Sequence, residues 1–255
     1  MKIRAILPCV VSVLLILRCE AAEPPIVVAR DAIQPHMAID AAGTVYVAFI
    51  HAGNICVAVS TDAGKSFNSP VVAIDVQGRA KGGMQRGPRI AVDAKRQITV
   101  TAPATFDDAE YKKRYPTAEL YLVQSTDAGT TWSKPLQVNE VSKKAPEALH
   151  WMSAAPSGEV HVAWLDRRDR TGPGQDIYFA TVANGRVGKN IKVATTVCEC
   201  CAPGLAVDAA GNPFLAFREG DKKPSREILA IRSTDRGASF GKPVQINSRQ
   251  SMEDG

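Results

Sequence analysis

The sequence has only 4 histidines, scattered singly at positions 36, 51, 150 and 161. None stands near another potential zinc ligand at ordinary spacing, and no H-E-x-x-H helix motif occurs. The pattern G-x-x-x-x-G-K-[ST] is absent, so the phosphate-cradling loop is excluded. No low-complexity tract appears. Long hydrophobic runs are confined to one, Ala5 to Leu17, which is too short to span a bilayer comfortably. Strong charge of one sign is missing too. The formal charge is +5, Lys2, Arg4, Arg18 and Glu20 supply +2 of it, and the remaining +3 is no nucleic-acid footprint.

What is present fits a folded protein. Apolar residues make up 45% of the chain and charged residues 22%, ordinary values for a globular domain. The N-terminus reads as a signal peptide over residues 1–21. Lys2 and Arg4 form its basic start, and Cys19 and Ala21 are the small residues before a cut at Ala22. Arg18 directly before Cys19 does not suit a lipidation signal, so a lipid anchor is the weaker alternative to secretion into the periplasm or outside the cell. The mature chain, 22–255, is expected to hold no membrane span.

An octapeptide is written three times: Ser60 to Phe67, Ser125 to Trp132 and Ser233 to Phe240, with the pattern S-T-D-x-G-x-[ST]-[FW] after an apolar run. Each residue type has a turn reason. Asp62, Asp127 and Asp235 can accept backbone N–H bonds just ahead of them in an Asx-type turn. Gly64, Gly129 and Gly237 can take a positive φ. Phe67, Trp132 and Phe240 are expected to pack back across the hairpin. A second repeat pairs two apolar strands around a D-x-x-G-like turn, with equivalent positions at 40, 93, 155 and 208, spaced 53, 62 and 53 residues apart. Roughly fifty residues suit one four-stranded unit. The third unit lacks the octapeptide and carries Asn184-Gly185, a strong tight-turn dipeptide, in its place.

The octapeptide resembles the Asp-box of the sialidase (BNR-repeat) superfamily. That resemblance implies an all-β chain, a β-propeller of four-stranded blades, usually six, with the boxes at rim hairpins away from the active site. Four blades are countable, at about 30–80, 81–143, 144–195 and 196–247. The expectation is therefore a propeller that is incomplete at its C-terminal side.

The resemblance also implies a chemistry. Sialidases hold a sugar carboxylate with arginines and use an Asp acid/base together with a Tyr nucleophile assisted by a Glu. An arginine fork matches a carboxylate bidentately. Arg89 opens a first strand, Arg218 ends a second strand next to Glu219, and Asp166 ends the equivalent strand of the third unit. These four are the candidate catalytic residues; each has a plainer reading as a local ion pair or a solvated loop. Arg30 stands where the family's early Arg-Ile-Pro-like triplet would fall, without the Ile-Pro. Cys198, Cys200 and Cys201 leave three readings open: a disulfide, within the run or to a cysteine beyond residue 255, a metal site, or inert thiols. Cys56 between Ile55 and Val57 reads as a buried free thiol. The polar stretch Phe106 to Glu119 reads as a solvated loop. The expected function is a secreted, exo-α-sialidase-type hydrolase acting on a glycan or glycoconjugate without a cofactor. The alternative is a non-catalytic propeller that binds glycans or proteins.

Overall fold

A computed structural model describes residues 24–247 apart from 81, 84, 114–116, 146–148, 173 and 221–226. The expected signal peptide, 1–21, lies outside the described residues. Four antiparallel sheets follow one another along the chain, as the blades of a propeller do. Blade one comprises β1 (Ala32–Ile39), β2 (Val45–His51), β3 (Asn54–Ser60) and β4 (Val71–Ile74). Blade two comprises β5 (Arg89–Val92), β6 (Ile98–Ala104), β7 (Glu119–Ser125) and β8 (Leu136–Gln137). Blade three comprises β9 (His150–Ala154), β10 (Val160–Asp166) and β11 (Gln175–Ala183). Its outermost position is shared by β12 (Arg186–Val187) and β13 (Ile191–Val197), each pairing with a different stretch of β11. Blade four comprises β14 (Gly204–Val207), β15 (Pro213–Arg218), β16 (Ile228–Arg232) and β17 (Val244–Gln245).

Strand order within each blade follows sequence order, because successive strands are joined as hairpins, the β12–β13 link of blade three excepted. The second strands β2, β6 and β10 are apolar or uncharged almost throughout and buried on both faces. That burial follows from blades stacking face to face. Ile55, Val57 and Ile74 meet Ile90, Ile98 and Val100 between blades one and two. Leu120, Leu122 and Val138 meet Val162, Trp164 and Tyr178 in the next interface, and Leu165, Ile177 and Phe179 meet Leu215, Phe217 and Ile231 in the third. The inner strands pack in succession, β1 on β5, β5 on β9 and β9 on β14. The outward face of blade one shows Met37 and Ile39, each 60% exposed, and that of blade four shows Val244, 64% exposed.

The octapeptides close the hairpins β3–β4, β7–β8 and β16–β17, but by a wider net of bonds than the sequence suggested. Each Asp accepts from the backbone N–H four residues ahead: Ser66 to Asp62, Thr131 to Asp127 and Ser239 to Asp235, all at 2.9 Å. The hydroxyl of that same Ser or Thr donates to the second carboxylate oxygen. The leading serine of each box, Ser60, Ser125 or Ser233, donates to the Asp and accepts from the Gly N–H. The glycines sit at φ +88, +86 and +89. Phe67 packs against its own blade, beside Val45, Val47 and Phe49, whereas the other two aromatics also reach a neighbouring blade. Phe240 of blade four sets its ring edge-on to Phe179 of blade three at 5.0 Å, and Trp132 joins the core between blades one and two. A second carboxylate staple closes the first hairpins of three blades. Asp40 accepts from Ala42 and Thr44, Asp93 from Lys95 and Gln97, and Asp208 from Ala210 and Asn212.

Blade three has neither staple, and Asn184 and Gly185 turn there with φ +51 and +70. Cys56 is buried and free. The polar stretch 106–119 differs from a simple loop: Asp107 caps the short helix α1 (Asp108–Tyr111), and Glu110 is buried with bonds from Lys113 and Thr117. Among the described residues no helix is long and apolar enough to cross a membrane.

Two outcomes follow. An added Cβ at Gly237 would lie 2.7 Å from the Phe179 ring, whereas one at Gly64 meets nothing within 4 Å. Gly64→Ala should lose only the left-handed penalty, about 1 kcal/mol. Gly237→Ala should lose that and a further 1–3 kcal/mol or so for the displaced ring. Equal urea midpoints for the two variants would contradict the role of the third box, in blade four, as an interblade wedge. The second outcome concerns acid. Donated hydroxyls hold the carboxyls down to about 2, Thr131 first among the donors at Asp127 and Ser233 first at Asp235. Their contribution is present above the unfolded value near 3.9 and is lost as pH falls towards 2. Asp127→Asn and Asp235→Asn should therefore be less stable at neutral pH and lose less on acidification, as read from unfolding midpoints.

Candidate functional site

The strand register separates the two ends of the blades. Every Asp-box, and Asn184-Gly185, lies where the inner strands finish. Arg89, Asp166 and Arg218 lie at the other end, where the inner strands begin and the second strands finish. There the four blades surround a cavity of about 370 Å³ lined by Gln34, Pro35, Gln85, Arg89, Trp151, Ala202, Pro203 and Gly204. A larger cavity of about 650 Å³ lies between blades two and three at the boxed end, lined mainly by turn residues and Trp132. The smaller cavity draws on all four blades, and it is lined by Arg89, a candidate that the sequence singled out.

Arg89 is 9% exposed. Its Nη1 donates to the Pro88 carbonyl at 3.2 Å and its Nη2 to the Gln85 carbonyl at 3.2 Å, while Nε is buried without a partner. Its Cζ lies 4.5 Å from the centroid of the Trp151 ring, a cation–π geometry. Among the described residues no carboxylate pairs with it. Burial lowers its pKa from the ordinary arginine value. His36 stands edge-on to Trp151 at 5.6 Å, and its Nδ1 accepts from the Ile90 N–H at 3.1 Å. That bond assigns the ring proton to Nε2. Burial first, and the nearby Arg89 charge second, lower the His36 pKa.

The wall opposite is strained. Gln34 has φ +57, inside a bulge of β1 between Ile33 and His36. Its Oε1 accepts from the Gly83 N–H at 3.1 Å. Gly87 passes so close that a Cβ there would lie 2.8 Å from that of Gln34. Gln85 closes the far side, accepting from the Ala202 N–H at 2.9 Å and so tying blade two to the loop that leads into blade four.

The other candidates are committed elsewhere. Asp166 is fully buried. Its Oδ1 accepts from the Arg168 N–H at 2.7 Å, and its Oδ2 accepts from Arg168 Nη2 at 2.6 Å and Trp164 Nε1 at 3.1 Å. Arg168 also reaches Glu140 at 3.2 Å and lies 4.1 Å over the Tyr178 ring. Asp166 therefore clamps a loop inside blade three. Arg218 turns its Nη1 to Cys201 Sγ at 3.5 Å. Glu219 continues its strand as a bridge to Val197. Arg89 is thus the candidate that lines the cavity, at the same end of the blades as Asp166, Arg218 and Glu219 but apart from them in its contacts. Cys198, Cys200 and Cys201 cluster on the loop between β13 and β14, just before the cavity residues Ala202 to Gly204.

Trp151, His36, Gln34 and Gln85 were missed as site residues. A signal for two of them was available. Counting back four positions from 40, 93, 155 and 208 gives His36, Arg89, Trp151 and Gly204, the equivalent residues of the four repeats. Equivalent positions on inner strands converge at the centre of a radial array. Gln34 and Gln85 carry no such signal.

The chain matches no protein-family model and no curated protein. Solved structures of similar fold exist at low identity. One is an α-L-arabinanase from Penicillium chrysogenum complexed with arabinobiose, 15% identical, TM-score 0.59, covering 86% of this chain and 67% of that one. Another is a protein of unknown function from Dyadobacter fermentans, 16% identical, TM-score 0.55, covering 84% and 68%. A third is the intramolecular trans-sialidase from Ruminococcus gnavus in complex with oseltamivir carboxylate, 13% identical, TM-score 0.53, covering 85% and 71%. The chain spans about two thirds of the length of these three, and at such identities the likeness is one of fold.

His36 and His161 are both held neutral, burial being the first cause at each. The unfolded chain, with histidine near 6.5, then binds more protons than the folded one below that value. Stability should be full above about pH 6.5 and fall as pH drops below it. Urea midpoints at pH 8 and pH 5.5 should differ accordingly, and His36→Gln should narrow the gap. A wild-type midpoint unchanged between the two pH values would contradict a neutral His36.

Proposed function

We propose that this chain is an extracytoplasmic propeller that recognises an acidic glycan through its central cavity. Arg89 is the observation that carries the reading. A guanidinium removed from water, satisfied only by two backbone carbonyls and an indole face, is an incomplete electrostatic arrangement. A carboxylate arriving from the cavity completes it with charge-assisted hydrogen bonds. Trp151, Pro35 and Pro203 supply apolar walls suited to the C–H faces of a sugar ring, beside the side chains of Gln34 and Gln85. The basic and apolar start of residues 1–21 supports a location outside the cytoplasm.

Hydrolysis of exo-α-sialidase type is the second reading. It is favoured by the names of similar solved structures, a trans-sialidase and an arabinanase among them. Turnover needs an acid and a nucleophile at the glycosidic bond. Among the described residues the cavity lining holds neither a carboxyl group nor a tyrosine, and Asp166 is already spoken for by Arg168 and Trp164. Recognition is therefore the stronger reading of this chain.

Titration calorimetry with sialic acid and with glucuronic acid, each against a neutral sugar of similar size, tests it. The acidic ligands should bind and the neutral ones should not. Arg89→Ala should weaken binding about 10- to 100-fold, the equivalent of roughly 1.5–3 kcal/mol for a charged hydrogen bond. Arg89→Lys should keep part of the affinity. Equal affinity for neutral sugars, or an unaffected Arg89→Ala variant, would overturn the reading. Release of sugar from a fluorogenic sialoside, abolished by Arg89→Ala, would select the hydrolase instead.

A further inference from the structure

We infer that Cys198, Cys200 and Cys201 form a binding site for one soft, thiophilic metal ion held by three thiolates, with Cu(I) the ion that the donor set suits best. The inference rests on a different part of the fold from the glycan reading and stands without it.

The loop that carries the cysteines is anchored on both flanks. Val197 bridges to Glu219, the Cys198 N–H donates to the Arg218 carbonyl at 2.9 Å, and the Gly220 N–H donates to the Thr196 carbonyl at 3.1 Å. The strands come so near that a Cβ on Gly220 would lie 2.5 Å from the Val197 carbonyl oxygen. On the far side Gln85 holds the Ala202 N–H. Between these anchors the chain turns so that three sulfurs face one another. Cys198 Sγ is 3.3 Å from Cys200 Sγ and 3.3 Å from Cys201 Sγ, and the latter two are 4.0 Å apart.

That triangle fits a metal ion. A point equidistant from its corners lies about 2.1 Å from each sulfur, and metal–thiolate bonds of roughly 2.3 Å place the ion about 1 Å out of the plane. No backbone movement is needed to bring all three sulfurs to bonding distance. Among the described residues no His, Asp or Glu joins the group, so the donor set is sulfur alone. Hard ions such as Mg²⁺ and Ca²⁺ want oxygen ligands. Soft thiolates select Cu(I) and Zn(II), and zinc in a closed structural site takes four ligands. Cu(I) is content with three thiolates. Each ligating thiol gives its proton to solvent, and the resulting excess of negative charge faces the guanidinium of Arg218, whose Nη1 stands 3.5 Å from Cys201 Sγ. A disulfide is the rival use of these groups, but any pair formed inside the run leaves its third thiol over.

The test uses the whole chain, reduced and kept free of oxygen. Cu(I) is titrated against the chelator bicinchoninate while near-ultraviolet thiolate-to-copper absorption is followed. The expected result is one equivalent bound per chain. Iodoacetamide labelling and mass spectrometry should show Cys198, Cys200 and Cys201 protected by Cu(I) and released by excess chelator. A Cys198→Ser/Cys200→Ser/Cys201→Ser variant with unchanged circular dichroism should bind none. Arg218→Ala should keep the stoichiometry and lose roughly 10-fold in affinity. Zn(II), titrated in parallel, should compete poorly. Failure of the wild-type chain to take Cu(I) from the chelator would overturn the proposal. So would equal uptake by the triple variant, or unprotected cysteines in the copper-loaded chain, a measurement that does not depend on any variant folding. Uptake of Zn(II) without Cu(I) would overturn the choice of ion.

Discussion

The carboxylate that closes a hairpin by accepting backbone N–H groups is the interaction on which this architecture depends. Six such aspartates, two in each of blades one, two and four, lie at the same end of the sheets. A short exposed hairpin has little apolar area with which to offset its loss of chain entropy. Side chains that satisfy turn amides locally fix the geometry without a core of their own. With the turns fixed at one end, the longer connections that vary in length and composition fall at the other. The cavity, the cysteine run and the short helix all lie among those connections. Blade three lacks both staples and relies on Asn184-Gly185. Its outer strand is also the one that splits into two pieces, β12 and β13.

Burial on both faces then dictates how the blades relate. A sheet with apolar residues on its two sides must be covered twice, and each inner blade is. The boxes contribute here as well, since the Phe240 ring meets Phe179 of the preceding blade and Trp132 sits in the core between the first two blades. A motif that looks local in sequence therefore also helps to seal neighbouring blades. The apolar residues left on the outward faces of blades one and four, Met37, Ile39 and Val244, show the same rule where no neighbouring blade of the described chain covers them.

The fold was legible in the sequence because its determinants are close together along the chain. The box hydrogen bonds join residues two to four apart, and each strand but β13 pairs with a neighbour in sequence. What was misread inside the box was range. The Asp reaches four residues ahead, because the left-handed residue before each glycine extends the turn. The site was legible only in part. Arg89 could be picked out as an arginine opening an inner strand. Its aromatic partner Trp151 lies 62 residues on, and the cavity walls Gln34 and Ala202 are farther from each other still. Single-sequence reasoning has no handle on such contacts unless the repeats are laid over one another.

Asp166 and Arg218 show why residue type at the expected strand end is not sufficient. Both stand at the end of the blades where the resemblance would want them, yet each has a nearer claim on its charge. The backbone and guanidinium of Arg168, only two residues away, reach Asp166 before any ligand can, and the indole of Trp164 takes a further lone pair. Arg218 faces a thiol. A charged group serves a ligand only when the protein leaves part of its bonding capacity unspent in a place that the ligand can reach. By that criterion these residues divide one face into three separately wired regions: a structural carboxylate clamp in blade three, a sulfur cluster with its own counter-charge before blade four, and a central cation facing an open cavity. Arg89, with its charge offset only by carbonyl dipoles and an aromatic face, is the candidate whose bonding capacity stays open towards that cavity.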